Sequence, residues 1–202
     1  MDFSRILRSA TFAVCVLSAV LSCRAVSAAK DALDDICTRG ALGSAVPQPA
    51  DLRSQNSELK VELSFRSSVD SQGLARYCYV DKAGNQSPTL RVKPGDRVTL
   101  TLRNELAASP ETHAMAGHAA SAGKDCTGGA MTASSTNLHF HGLVIPPVCH
   151  QDDVLKTLVQ PSSPPFEYSF QIPQDQPPGL YWYHPHVHGF TKIKYWAGHP
   201  EH

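Results

Sequence analysis

Apolar and polar positions alternate along several short stretches of the chain, and the period is two. Leu59, Val61, Leu63 and Phe65 share one face of a segment whose intervening positions are Lys60, Glu62 and Ser64. Val98, Leu100 and Leu102 alternate with Thr99 and Thr101, and Phe166, Tyr168 and Phe170 with Glu167 and Ser169. A strand turns successive side chains to opposite faces, so this period predicts half-buried β-strands. Residues 76–80, 90–92, 137–144 and 180–184 add four shorter candidates. Turn chemistry separates them. In Lys93-Pro94-Gly95-Asp96 the proline presets φ at one central position and the glycine accepts positive φ at the next. Pro177-Pro178-Gly179 makes a second such turn. No stretch carries a sustained helical period, and no internal repeat is present. The pattern predicts an all-β sandwich, with antiparallel strands across residues 59–186.

The 202 residues fit one domain with a leader to remove. Residues 1–28 read as a secretory signal: Arg5 and Arg8 give a basic start, 11–21 a short apolar run, and Val26-Ser27-Ala28 a small-residue cleavage site. The run is too short to be a membrane span. A lipid anchor at Cys23, within Val20-Leu21-Ser22-Cys23, is the competing reading. Either way the chain is expected to be exported, to the periplasm or beyond. Residues 29–57 are mixed and turn-rich and read as a lead-in. Lysine plus arginine balance aspartate plus glutamate at 18 each. There is no basic patch of the kind nucleic-acid binding needs. Beyond the leader four cysteines remain, Cys37, Cys78, Cys126 and Cys149. Export permits disulfides, and all three full pairings stay open.

Two histidine clusters change the picture. His139-Phe140-His141-Gly142 and His184-Pro185-His186-Val187-His188-Gly189 each begin in a strand candidate. Residues two apart on a strand point the same way, so His139 with His141, and His184 with His186, should project as pairs. Two such strands side by side bring four imidazoles to one small volume, and imidazole suits copper, zinc, iron and nickel. A single histidine is ordinarily a satisfied core or surface residue. Two H-x-H pairs, both beside aromatic strand residues and both followed by glycine, point to metal instead. His188 reads as a surface residue or as support behind the ligands, because Gly189 turns the chain there. The segment 105–135 is rich in Ala, Gly, Ser and Thr and carries His113, Met115, His118 and Met131. Such a loop could collect copper through thioether and imidazole, although an insertion with incidental His and Met is the simpler reading. Asp152 and Asp153 follow the first cluster. They could orient a ligand or relay protons, or form a solvated loop pair.

Three segments in order resemble the first cupredoxin domain of the multicopper oxidases, the laccase-like family. They are residues 89–96 (Thr-Leu-Arg-Val-Lys-Pro-Gly-Asp), 138–143 (Leu-His-Phe-His-Gly-Leu) and 179–186 (Gly-Leu-Tyr-Trp-Tyr-His-Pro-His). The resemblance covers roughly residues 60–194. It implies a cupredoxin-like Greek-key β-sandwich over residues 58–194 and copper as the cofactor. It assigns His139 to a type 2 copper, His141 to one type 3 copper, and His184 and His186 to the type 3 pair. The same resemblance places an acidic residue near the cluster, at about Asp152 or Asp153. Family members oxidise phenols, aromatic amines or metal ions at a type 1 copper and reduce O2 to water at the trinuclear cluster. The family needs eight histidines there, and four stand at matching positions. No His-Cys-His motif occurs in the chain. Residues 195–202 depart from the family's continuation. Reading from the third base of the Lys194 codon permits that continuation, so a frame-shifted tail and a sandwich incomplete at its C-terminus are expected.

The resulting expectation is a truncated N-terminal domain, oxidoreductase by family. It would supply half of the trinuclear ligands and be inactive by itself, with O2 and a reducing substrate as partners only in a full-length member. A small exported copper-sequestering protein without turnover is the alternative. A zinc hydrolase of the H-x-H-x-D-H type is disfavoured, because position 143 holds Leu143 where aspartate is required, and position 188 holds His188.

Overall fold

The computed structural model describes residues 36–41, 43–108, 126, 130–187 and 189–190. Every regular element among them is a strand. These are β1 (Asp51–Arg53), β2 (Glu58–Val69), β3 (Ala75–Asp81), β4 (Thr89–Arg91), β5 (Arg97–Asn104), β6 (His139–His141), β7 (Phe166–Gln171) and β8 (Trp182–His184). The alternating stretches became β2, β5 and β7. In β2 the apolar positions Leu59, Val61, Leu63 and Phe65 are buried, and β5 and β7 repeat the pattern through Val98, Leu100, Leu102, Tyr168 and Phe170.

The main sheet has the order β3-β2-β5-β7. β3 runs antiparallel to β2, and β7 antiparallel to β5. The central pair differs from the all-antiparallel expectation: β2 and β5 are parallel, from Glu58 opposite Arg97 to Phe65 opposite Asn104. Side-chain alternation is the same in both orientations, so periodicity does not register this. What permits it is the connection through β3 and β4, long enough to return the chain in the same direction. β1 and β4 form a second, parallel pair, with Leu52 opposite Leu90. β1 lies within the segment 29–57 that reads as a lead-in; three residues with one half-buried side chain are too few to show a period.

The apolar face of the main sheet packs on Leu138, Phe140, Ile145 and Val159, with Leu52, Leu90 and Tyr183 against the margin of that core. β6 and β8 thus belong to the layer facing the main sheet, and the fold is a cupredoxin-like β-sandwich. Three tyrosines tie the layers together. Leu138 N donates to Tyr168 Oη at 2.8 Å, Tyr79 Oη donates to the Asn137 carbonyl at 2.9 Å, and Tyr183 Oη donates to the Pro88 carbonyl at 2.8 Å. Burial pushes the Tyr168 and Tyr183 phenols well above the ordinary tyrosine value, so both stay neutral. The turn at 93–96 closes as expected. Gly95 has φ of 85°, Asp96 N donates to the Lys93 carbonyl, and the Asp96 carboxylate accepts from Ser54 Oγ and Lys93 N, which lowers its pKa in that order.

Of the three possible cysteine pairings one is realised: Cys37 with Cys78, and Cys126 with Cys149. Closed loops of this size typically add on the order of 3 kcal/mol of stability each. Among the described residues no helix is long and apolar enough to cross a membrane. The signal segment 1–28 with Cys23, residues 109–125 of the Met/His-bearing segment, His188, and the tail 195–202 with the expected open C-terminal edge all lie outside the described residues.

Candidate metal centre

β6 and β8 are antiparallel, and their register sets His139 directly opposite His184 and His141 opposite Trp182. Directly opposed residues keep their Cβ atoms about 5 Å apart. The pairing therefore brings the two histidine clusters together without any help from loops. The ring centroids of His139 and His184 are 5.1 Å apart, those of His139 and His141 5.4 Å, and those of His141 and His184 5.7 Å. One ligand nitrogen from each of these three residues lies within 4.8 Å of the others. His186 flanks the group, its ring 5.5 Å from that of His139 and 6.2 Å from that of His184.

His186 reaches this place by a route that strand alternation does not describe. β8 ends at His184, and Pro185 follows. Asn137 holds the residue beyond. Its Oδ1 accepts from His186 N at 2.7 Å, and its Nδ2 faces the His186 carbonyl at 3.3 Å, the Thr157 carbonyl at 3.0 Å and the Val154 carbonyl at 3.1 Å. The Asn137 side chain is fully buried, so these contacts bind three chain segments together. Asn137 was not among the residues singled out from the sequence. The available signal was a polar residue two positions before His139, at an inward-facing position.

Two ring tautomers follow from hydrogen bonding. His139 Nδ1 lies 3.0 and 2.9 Å from the two carboxylate oxygens of Asp152, and Oδ1 also accepts Phe140 N at 3.0 Å. A carboxylate only accepts, so Nδ1 carries the proton and Nε2 the lone pair. His184 Nδ1 likewise donates to the Pro185 carbonyl at 2.9 Å. A ring held through one nitrogen presents the other for metal coordination, the usual arrangement behind a ligating histidine. Burial, then the neighbouring imidazoles, hold the His184 pKa below its ordinary value, which favours the neutral, ligating form. Of the two candidate acids only Asp152 reaches the cluster. Asp153 accepts Lys156 N at 3.3 Å through its side chain and Thr157 N at 2.9 Å through its carbonyl, shaping the loop. Changing Asp152→Asn should leave the Phe140 bond available but remove the charged acceptor behind His139. Copper affinity should then fall roughly tenfold to a hundredfold, read by competition with a chromogenic chelator.

Gly142 closes the first cluster with φ of 86°, and a Cβ there would stand 3.0 Å from the Tyr181 ring. Both features restrict the position to glycine. The centre is graded in exposure. His184 is buried, His139 and His186 are intermediate, and His141 is exposed beside Trp182, a residue that is itself 49 % exposed. Three imidazoles, two of them with rings held by hydrogen bonds, and an adjacent fourth fit a transition metal of the copper and zinc class.

The chain is similar to known proteins in part of its sequence and in its fold. A family model described as multicopper oxidase matches residues 130–199. A multicopper oxidase from Campylobacter jejuni is similar in structure, with TM-score 0.50 and 22 % identity, over 80 % of this chain and 28 % of that one. A laccase from Pediococcus acidilactici Pa5930 gives TM-score 0.50 and 20 % identity over 79 % of this chain and 30 % of that one. The chain thus spans less than a third of the length of either. No curated protein matches it by sequence. The segment that carries all four histidines is thus the one that resembles the multicopper oxidases, a family whose cofactor is copper.

Proposed function

We propose that His139, His141, His184 and His186 are copper ligands supplying half of a trinuclear site, in an exported N-terminal domain of multicopper oxidase type. The observation that supports this most is the convergence of four imidazoles from two paired strands, two of them with the proton held away from Nε2. Bound copper supplies one-electron chemistry between Cu(I) and Cu(II), which zinc does not. The chain's own residues do the positioning. Asp152 fixes the His139 ring, Asn137 fixes the His186 backbone, and the β6–β8 register fixes the spacing of His139 and His184. The exposed side at His141 and Trp182 is where the remaining ligands of a full family site would approach. In such a complete site the reaction is oxidation of phenols, amines or metal ions coupled to reduction of O2.

A second reading, copper sequestration without turnover, draws on a specific feature. The group His139, His141 and His184 is tight enough to hold one ion by itself. Copper titration run alongside oxygen uptake with a phenolic substrate separates what the 202 residues do. The expected result is saturable copper binding, no phenol-dependent oxygen uptake and no intense blue absorption, since no His-Cys-His motif is present. Four-electron oxygen reduction by the purified chain would overturn the proposal that these residues form only half a site.

A further inference from the structure

A second group of soft metal ligands lies outside the four-histidine centre. Cys126 Sγ, Cys149 Sγ and a ring nitrogen of His150 all fall within 4.8 Å of one another. The two sulfurs are joined as a disulfide, so as it stands the corner offers one imidazole and no thiolate. His150 is nonetheless held as a ligand is held. Its Nδ1 donates to the Glu167 carbonyl at 2.6 Å, leaving the lone pair on Nε2. Its ring stacks on Phe166, with centroids 4.9 Å apart and planes 4° from parallel. Its own carbonyl accepts Ser169 N at 2.7 Å, which anchors the residue to β7 although its φ is 63°. Three separate contacts fix an exposed imidazole next to two sulfurs, and neither the core nor the first centre uses it.

We propose that reduction of the Cys126–Cys149 bond turns this corner into a second metal site, with two thiolates and one imidazole, whose occupant is a thiophilic cation, Cu(I). A dithiol breaks the S–S bond, passing two electrons and two protons to the sulfurs and becoming a disulfide itself. Binding of the cation then displaces the two thiol protons to solvent. Thiolate is a soft donor and selects Cu(I) or zinc over harder ions. The site is therefore gated by redox state: closed while the chain is oxidised, open where a dithiol reductant reaches it. This holds whether or not the four histidines bind copper, because the two centres share no ligand.

The test uses the full chain, reduced with dithiothreitol, desalted without oxygen, and titrated with Co(II) as the probe. The reduced chain should develop the near-ultraviolet thiolate-to-Co(II) charge-transfer band. The oxidised chain should not, and Cu(I) should abolish the band by displacement. His150→Ala keeps both cysteines and should weaken Co(II) binding by roughly tenfold or more. The band should persist in Cys37→Ser/Cys78→Ser and in His139→Ala/His184→Ala, and vanish in Cys126→Ser/Cys149→Ser. Absence of the band in the reduced chain would overturn the proposal. So would its survival in Cys126→Ser/Cys149→Ser, a titration unchanged by His150→Ala, or loss of the β-sheet circular dichroism on reduction.

Discussion

Replacing His139 and His184 together with alanine should lower copper affinity by roughly a hundredfold or more, while His199→Ala leaves it unchanged. Loss of a single supporting hydrogen bond behind a ligand costs ten- to a hundredfold, and here two directly opposed ligands are removed. His139 and His184 are the pair that the β6–β8 register fixes, and both share the tight three-imidazole group with His141. What remains, His141 and His186, offers no group of three. The change is also mild for the fold, since neither ring belongs to the apolar core. Chelator competition on the two variants reads the effect. An affinity that ignores the double change would place the copper elsewhere.

Asn137→Ala should be the most damaging single change near the centre, destabilising the fold by about 3 kcal/mol or more. The amide is fully buried, and its removal leaves His186 N and the carbonyls of Val154, Thr157 and His186 to find other partners. Each buried polar group left unsatisfied costs about 1–3 kcal/mol. Against a total stability of about 5–15 kcal/mol this is a large fraction. Because the same amide places His186, copper affinity should fall as well. Asn137→Asp keeps the acceptor for His186 N but loses the donors, and should fall between wild type and Asn137→Ala. Urea unfolding midpoints for the three proteins check the order. Equal midpoints for Asn137→Ala and wild type would mean that the buried amide does not hold the segments together.

Much of this architecture is legible in the chain itself. Val61, Leu63 and Phe65 announce β2, and Leu100 and Tyr168 announce β5 and β7, because a half-buried strand must alternate. The same rule is silent on direction, so the parallel pairing of β2 with β5 comes only from structure. It is silent too on β1, where Leu52 is the single half-buried residue in three. At the centre, the spacing of His139 and His141 shows their shared direction. His186 lies past the end of β8, and its placement depends on Asn137, a contact between residues 49 positions apart. Asp152 and Asp153 are equivalent in sequence. Only the path of the loop from Pro146, whose carbonyl accepts Asp152 N at 3.2 Å, decides that the first faces His139 and the second faces away. The cysteine pairing was open among three choices for the same reason: chain-distant proximity has no local signature.

The most direct test of the central claim is an anomalous difference map at the copper absorption edge, from crystals of the chain grown with copper. The expected result is density within coordination distance of Nε2 of both His139 and His184, with His141 or His186 completing the set, and loss of that density in the His139→Ala/His184→Ala protein. Copper density confined to other parts of the chain, with the β6–β8 histidines bare, would contradict it.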